Sequence, residues 1–332
     1  MPSLRRTSFA TRLVRWQRVH GRHGLPWQGT RDAYRVWLSE IMLQQTQVAT
    51  VIPYYERFVA RFPTVAALAA ASEDEVMGFW SGLGYYARAR NLHRAAREVR
   101  ERFGGAFPAT FDALVTLPGI GRSTAGAIAA FAAGERRAIL DANARRVIAR
   151  HAGVEGDPSR PQVLAALWSE AEARLPARAI QGYTQGLMDL GAGLCAPRDP
   201  QCLLCPVHAD CRARLQGRTG EIPARKRRAP APRRRIGMLV VLSGRDVLLE
   251  KRPPSGIWGG LWSLPEIAAD AKPRAALARE WGIAAAEVSA LEPFEHAFTH
   301  FTLEVTPWRV RARRAGRLAQ GKPAAWVALD DL

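Results

Sequence analysis

The four cysteines of this chain fall within seventeen residues, at Cys195, Cys202, Cys205 and Cys211. The first residues contain no apolar signal segment, so we expect a reducing compartment in which disulfides would not persist. Four thiols clustered this closely therefore favour a metal centre. Their spacing differs from the paired C-x2-C motifs of a zinc ribbon, but the residues alone leave zinc and an iron–sulfur cluster open.

Two acidic residues, Glu40 and Asp141, are candidates for a catalytic role. Glu40 is predicted to lie in the middle of a helix among apolar neighbours, where burial would raise its pKa and suit it to act as an acid. Asp141 lies at the start of an arginine-flanked helix, in Asp141-Ala-Asn-Ala-Arg-Arg146. In isolation, Glu40 could equally face solvent and Asp141 could simply be an N-cap.

A glycine-containing hairpin lies between these carboxylates, in Leu117-Pro-Gly-Ile-Gly121-Arg-Ser-Thr-Ala125. Gly119 and Gly121 allow a tight turn, and the free N–H groups at the start of the next helix suit a phosphate. This pattern predicts a helix-hairpin-helix that holds the DNA backbone without reading sequence. The alternative is a plain connection between two helices.

Helices must position these residues, because apolar side chains recur every three or four positions from Ser8 to about Ala213. The predicted helical stretches are Val36–Val51, Val65–Trp80, Leu92–Phe103 and Ile128–Ile139. Ser72 and Glu75 resemble a capping box, and Gly104-Gly105 should end a helix that begins near Tyr86. Residues 1–216 are therefore predicted to form an all-α domain.

The pattern changes beyond this domain. Residues 217–235, rich in Gly, Pro and Arg, predict a solvated linker that contacts DNA phosphates, in preference to a nuclear localisation signal. Strands are then predicted at Ile236–Leu242, Val247–Lys251 and Phe301–Val310, the first two as a hairpin, with a helix at Pro273–Trp281. Residues 236–332 are therefore predicted to form a small α+β domain.

The composition fits a globular protein, with 48% hydrophobic and 23% charged residues, and no apolar run is long enough for a transmembrane helix. The net charge of +18 is concentrated before residue 236, since residues 236–332 carry twelve basic and eleven acidic side chains. A nucleic-acid partner is expected, although only four lysines among 48 basic residues also indicate a bias toward arginine. We expect a soluble, cytoplasmic, nucleoid-associated bacterial protein.

Several segments in order closely resemble the MutY family of adenine DNA glycosylases, in the helix-hairpin-helix base-excision superfamily. They are Glu40 with Met42–Thr50, Gly82–Leu92, the Leu117 hairpin, Asp141, the four cysteines, Arg252–Leu261 and Phe298–His300. The resemblance implies a 4Fe-4S cluster on the cysteines. It implies a monomer that binds double-stranded DNA containing adenine opposite 8-oxoguanine or guanine, and that releases the adenine to leave an abasic site.

The resemblance also implies roles for individual residues. Glu40 would protonate N7 of the adenine, and Asp141 would stabilise the positive charge that develops on the sugar. Ser123 stands where bifunctional relatives carry a lysine nucleophile, so base removal without efficient strand cleavage is expected. The implied adenine pocket is Arg22, Trp27, Gln185 and Met188, and the implied wedge beside the lesion is Gln45 and Tyr85. We also expect Arg198, in the loop between Cys195 and Cys202, to contact a DNA phosphate.

The C-terminal domain resembles the Nudix fold that this family uses to recognise 8-oxoguanine. Phe298, Thr299 and His300 match its lesion-contacting loop, with Thr in place of Ser. The glutamates that a Nudix hydrolase needs for divalent metal are largely missing, and Arg279 stands where a carboxylate is needed, so hydrolysis is not expected. The remaining alternatives are a bifunctional lyase, a Nudix hydrolase and a non-catalytic iron–sulfur protein that binds DNA.

Overall fold

The computed structural model describes residues 8–224, 231–254, 256–298, 300–312 and 323–331. The chain divides into two units, residues 1–226 and 227–332. The first unit is helical and the second is built on a sheet, which confirms the predicted fold classes. Within the described ranges, no helix is long and apolar enough to cross a membrane.

The described part of the first unit contains a succession of mostly short helices. They are α1 (Phe9–His20), α2 (Ala33–Met42), α3 (Val48–Arg61), α4 (Val65–Ala70), α5 (Glu73–Trp80), α6 (Ala87–Arg102), α7 (Phe111–Leu114), α8 (Arg122–Ile128), α9 (Ala142–Ala152), α10 (Pro161–Ala173), α11 (Ile180–Ala192) and α12 (Arg212–Leu215). Their boundaries follow local capping chemistry. Ser72 accepts a hydrogen bond from the backbone N–H of Glu75 at 3.1 Å, and α6 ends before Gly104 and Gly105, which both have positive φ.

The N-terminal helix packs with the C-terminal helices of this unit. Leu13 of α1, Ile148 of α9 and Leu187 of α11 belong to one buried cluster. Close approach of α11 to α9 requires a glycine, because a Cβ at Gly191 would lie 2.5 Å from Cβ of Asn143. This packing brings the segment after α1, which contains Arg22, against α11.

Large aromatic side chains form a second part of the core of this unit, between α2, α3 and α5. Trp37 of α2, Phe58 of α3 and Trp80 of α5 are fully buried, and the ring centroids of Phe58 and Trp80 lie 6.1 Å apart. Because α2 is held on this core, its last turn, which carries Glu40, has a fixed position.

Three of the predicted helical stretches are interrupted. Val36–Val51 breaks at residues 43–47, where Gln45 has a φ of 60°. Val65–Trp80 divides at Ser72, whose side chain caps a new helix. Ile128–Ile139 continues only as a π-helical turn to Ala133 and ends at Gly134, whose φ is 70°. A left-handed residue follows the first and the third of these helices, and the cap at Ser72 begins a new helix in the second, although the apolar period continues in all three.

The second unit is a mixed sheet with one described α-helix. Its elements are β1 (Arg233–Ser243), β2 (Asp246–Lys251), β3 (Trp262–Ser263), β4 (Glu266–Ala268), α13 (Pro273–Trp281), β5 (Ala285–Ala290), β6 (Phe294–Ala297), β7 (Thr302–Ala312) and β8 (Ala324–Ala328). The predicted β1–β2 hairpin and the helix α13 are confirmed. β1 pairs with β7 in parallel along its length, and Leu239, Val241 and Trp281 lie in the core beneath.

The segment predicted as a linker is shared between the two units. Ile222 is buried in the core of the first unit, where its carbonyl accepts a hydrogen bond from Arg150 at 2.9 Å. At the other end, Arg233 to Arg235 form the start of β1. Composition cannot locate these boundaries. The burial of one residue, Ile222, sets the first, and the pairing of β1 with β7 sets the second. Residues 225–230 of the predicted linker lie outside the described residues.

Candidate active site and cysteine centre

Glu40 lies in the last turn of α2, closer to the helix end than predicted. Its side chain is partly exposed to a cavity and otherwise surrounded by protein. Burial raises the pKa of Glu40 to about 8, and repulsion from Asp141 adds to the rise. At neutral pH the carboxyl group therefore keeps its proton, as a general acid requires.

Asp141 is the N-cap of α9, and its Oδ1 accepts a hydrogen bond from the backbone N–H of Ala144 at 2.6 Å. Burial raises the pKa of Asp141, whereas hydrogen bonds from the backbone of Ala144 and Asn143 and the charges of Arg146 and Arg145 oppose the rise. Because its charge contributes to raising the pKa of Glu40, Asp141 is the group of the pair that ionises first. Capping and a role in the cavity are therefore compatible.

Two adjoining cavities meet at Glu40. One, of about 610 Å³, is lined by all four residues of the predicted adenine pocket, Arg22, Trp27, Gln185 and Met188. The other, of about 800 Å³, is lined by Gln45, Ser123 and Asp141. Glu40, Arg22 and Met188 line both cavities. The structure thus brings these predicted pocket and catalytic residues together around one cleft, which is large enough for a base and its sugar.

Ser123 connects the hairpin to the segment that precedes Asp141. Its Oγ accepts a hydrogen bond from the backbone N–H of Leu140 at 2.9 Å. In the hairpin itself, Gly119 has a φ of 79°, and a Cβ there would lie 2.9 Å from Cβ of Asn91. Gly121 is the N-cap residue of α8, and a Cβ at this position would meet no protein atom within 4 Å. The hairpin therefore approaches α6 at Gly119 and stays open at Gly121.

The predicted wedge residues lie in two loops with unusual backbone conformations. Gln45 has a φ of 60° and Tyr85 a φ of 49°, and the Tyr85 side chain is 43% exposed. A left-handed conformation is uncommon for residues with side chains and is typical of functional positions. The conformations therefore support the prediction that these two side chains have a role beyond packing.

Arg88, for which the sequence predicts no role, connects the two loops. Its buried guanidinium donates to the carbonyl oxygens of Met42 and Gln44, at 2.8 and 2.6 Å, and to the carbonyl of Gly84 at 3.2 Å. Burial lowers its pKa to about 10, so it remains charged at neutral pH. The run of arginines after Tyr85 offers a weak signal in the sequence, but its backbone acceptors are up to 47 residues away.

Asp189 is a second residue without a predicted role. Its carboxylate is buried in α11, one turn after Gln185. It accepts hydrogen bonds from the backbone N–H of Arg22 at 3.0 Å, from Nε of Arg22 at 2.7 Å and from Nε2 of Gln185 at 2.9 Å. The i, i+4 spacing of Gln185 and Asp189 is a local signal, but the contact with Arg22 depends on the packing of α1 against α11.

The four cysteines are free and line one small cavity together with Arg150 and Arg214. Burial raises the pKa of Cys205 to about 12 and also raises that of Cys211. Arg150 donates to Sγ of Cys195 at 3.4 Å, and Nε of Arg146 donates to the carbonyl of Cys195 at 2.7 Å. Partly buried sulfurs beside arginines fit a thiolate-bound group of negative charge. The described residues contain no set of three or more His, Cys, Asp or Glu side chains arranged around a single ion.

In the second unit, Phe298 lies in an aromatic cluster. Its ring stacks on Phe301 at 4.6 Å and meets the edges of His296 and Trp258 at 4.6 and 5.5 Å. His300 is exposed, and Thr299 lies outside the described residues. Two glutamates of the segment that resembles a Nudix motif pair with arginines, since Arg252 contacts Glu266 at 2.8 Å and Arg279 contacts Glu280 at 2.9 Å.

Comparison with protein families matches residues 38–173 to the HhH-GPD superfamily of base excision DNA repair proteins and residues 237–332 to the NUDIX domain. Among solved structures, a thermostable thymine-DNA glycosylase matches with a TM-score of 0.57 and 30% identity, over 63% of this chain and 95% of that one. A non-covalent endonuclease III–DNA complex matches with a TM-score of 0.53 and 20% identity, over 63% of this chain and 94% of that one, which shows the shared fold.

Curated relatives cover most of the chain. The adenine DNA glycosylase of Buchnera aphidicola subsp. Schizaphis graminum is 34% identical over 90% of this chain and 86% of its own length. The human adenine DNA glycosylase is 36% identical over 90% of this chain and 66% of its own length. Together with the HhH-GPD match, these similarities show that the chain belongs to the adenine DNA glycosylase family.

Proposed function

We propose that this enzyme hydrolyses the N-glycosidic bond of adenine paired with 8-oxoguanine or guanine and leaves the DNA strand uncut. The observation that carries the proposal is the pair Glu40 and Asp141 in one cleft, where the pKa of Glu40 is raised to about 8 beside a pocket of the size of a base. A protonated acid and a carboxylate are the two groups that glycosidic cleavage requires.

The adenine must first leave the DNA stack, because a stacked and paired base cannot bring its glycosidic bond into a cleft of this kind. Extrusion costs a few kcal/mol, which side chains inserted into the gap offset in part. Gln45 and Tyr85 are the proposed wedge, and Arg88 holds both of their loops on the protein. The extruded base would enter the pocket lined by Trp27, which supplies an aromatic face.

Glu40 would then donate its proton to N7 of the adenine. Protonation turns the departing base from an anion into a neutral leaving group, which lowers the barrier to bond cleavage. As the bond breaks, positive charge develops on the sugar, and the Asp141 carboxylate would stabilise it electrostatically. Water then adds to the sugar cation, and its proton passes to the Glu40 carboxylate, which restores the acid.

Ser123 supports base removal without strand cleavage. A lyase needs an amine to form a Schiff base with the opened sugar, and a hydroxyl cannot do so. The Ser123 hydroxyl already accepts a hydrogen bond from the backbone N–H of Leu140. We therefore assign it a structural role at the cleft, next to Asp141.

Several groups are proposed to hold the DNA. The hairpin at Gly119 and Gly121 and the exposed Arg198 would contact phosphates, which gives affinity without sequence information. In the second unit, Phe298, Thr299 and His300 are proposed to contact 8-oxoguanine. The aromatic packing around Phe298 supports this, because it would hold the Phe298 ring in one orientation toward a base.

We also propose that Cys195, Cys202, Cys205 and Cys211 hold a 4Fe-4S cluster. A bound cluster would join the two ends of the Arg198 loop, at Cys195 and Cys202, and so present a fixed surface to DNA; Arg146 of α9 already contacts the first of these ends. Purified protein is expected to contain about four irons per chain and to absorb visible light. Iron and zinc determination with an absorption spectrum checks this, and stoichiometric zinc in colourless protein would contradict it.

The proposed reaction is tested with a duplex labelled on the adenine strand under single-turnover conditions. Adenine opposite 8-oxoguanine or guanine should be released, adenine opposite thymine should not, and strand breaks should appear only after hot alkali. Breaks without alkali would show a bifunctional lyase, and binding without release of adenine would show a non-catalytic protein. Magnesium-dependent release of phosphate from nucleoside triphosphates would instead show a Nudix hydrolase.

A further inference from the structure

The carboxylate of Asp189 is buried behind Arg22 and Gln185, two residues that line the proposed adenine pocket, and 5% of the residue is exposed. It accepts from both the backbone and the side chain of Arg22, and from the side-chain amide of Gln185. The contact with the Arg22 segment is tight, because a Cβ at Gly21 would lie 2.9 Å from Oδ2 of Asp189. Asp189 thus fixes two pocket residues that come from opposite ends of the first unit.

The contact with Gln185 determines which way its amide faces. A side-chain amide has a donor end and an acceptor end, and hydrogen-bond partners decide its orientation. An ionised carboxylate paired with a guanidinium can only accept, so it must face the NH2 group of Gln185. This leaves Oε1, an acceptor, as the end of Gln185 that is available to a ligand in the pocket.

An acceptor at this place distinguishes purines by the group at carbon 6. Adenine carries an amino group there, which donates, whereas guanine and hypoxanthine carry a carbonyl oxygen, which accepts. The amino group is next to N7, the atom that Glu40 is proposed to protonate, and both Glu40 and Gln185 line the same pocket. A purine with a 6-carbonyl would place two acceptors against each other.

We propose that Asp189 is a positioning residue that makes the pocket selective for a 6-amino purine, by holding the Gln185 amide with Oε1 toward the base. The proposal rests on the proposed glycosylase reaction and extends it to the origin of base selectivity. Asp189 acts through Gln185 and touches neither the base nor the sugar. A site with a fixed hydrogen-bonding pattern rejects a base that leaves its groups unpaired.

The test compares single-turnover rates on duplexes carrying adenine or hypoxanthine opposite 8-oxoguanine. Asp189→Asn has the same shape but carries both a donor and an acceptor, so the Gln185 amide is free to turn over. The ratio of the adenine rate to the hypoxanthine rate should fall by about fivefold or more relative to wild type. Asp189→Ser, which also lacks the acceptor-only carboxylate, should lower the ratio if the Asn variant does not fold.

Two controls separate this role from general support of the pocket. Asp189→Glu retains an acceptor-only group. Its ratio of adenine rate to hypoxanthine rate should therefore stay closer to wild type than that of Asp189→Asn, even if the rates on both substrates fall. In a Gln185→Leu background, Asp189→Asn should leave the ratio unchanged, because the amide through which it acts is gone.

Equal losses of both rates in Asp189→Asn, with the ratio unchanged, would overturn the inference. The inference would also be overturned if Asp189→Glu lowered the adenine-to-hypoxanthine rate ratio as much as Asp189→Asn does. Absence of adenine release by the wild-type protein would instead refute the proposed function, so the two failures are distinguishable in one assay.

Discussion

Replacement of Glu40 by glutamine should lower the single-turnover rate of adenine release by about 10²–10⁴-fold. The amide has nearly the same shape as the carboxyl group, so the packing at the end of α2 is retained, but it cannot deliver a proton. Binding to a duplex with adenine opposite 8-oxoguanine should persist, because the residues proposed to contact DNA lie elsewhere. Parallel measurements of release rate and of affinity check both expectations.

The pH dependence of the wild-type rate provides a second readout of the same group. Because the pKa of Glu40 is raised to about 8, the acid is protonated at neutral pH, and the rate should fall as the pH rises above about 8. The glutamine variant should lack this descending limb. A near-normal rate in the variant, or an unchanged pH profile, would contradict the assignment of Glu40 as the acid.

The raised pKa also predicts the direction of a stability effect. Between pH 4.5 and about 8, the folded protein holds a proton on Glu40 that the unfolded chain releases. The contribution of Glu40 to the free energy of unfolding therefore falls as the pH rises through this window. Glutamine carries no charge, so the melting temperature of the variant relative to wild type should increase from pH 5 to pH 8.

Local chemistry explains which elements were predictable from the sequence. The glycines after Phe103 and the cap at Ser72 act on neighbouring backbone groups, so the bounds of α6 and the start of α5 follow from local sequence. The hairpin of β1 and β2 is equally local. By contrast, the loop at residues 43–47 is held by hydrogen bonds from Arg88, which lies 44 and 46 residues from its two acceptors, and the apolar period does not indicate this contact.

In the candidate site, too, the sequence indicates some features and only the folded structure shows the others. The residue types of Glu40 and Asp141 indicated chemistry, but only packing shows that both line one cleft and that burial raises both pKa values. Gln185 was placed in the pocket by resemblance. The orientation of its amide follows from Asp189, whose second partner, Arg22, lies 167 residues away. Contacts of this range require the folded structure.

Replacement of Asp141 by asparagine is expected to lower the rate of adenine release by about 10²–10³-fold, through the loss of one charge from the cleft. The substitution separates the two roles that the sequence left open for this residue. Asparagine is as good an N-cap as aspartate, so α9 keeps its capped start and the hydrogen bond from Ala144 has an acceptor. Only the charge that is proposed to face the developing positive sugar is removed.

Stability supplies the control for the Asp141 variant. Burial raises the pKa of Asp141, so the ionised form is held in the cleft at a cost to the folded state, and the neutral asparagine should melt no lower than wild type at neutral pH. Asp141→Ala, which removes both the charge and the cap, should lose stability by about 1 kcal/mol as well as activity. An asparagine variant that keeps a near-wild-type release rate would show that Asp141 only caps α9. A variant that melts normally but releases adenine slowly would place the charge itself in the reaction, because the helix, the cap and the shape of the cleft are then unchanged.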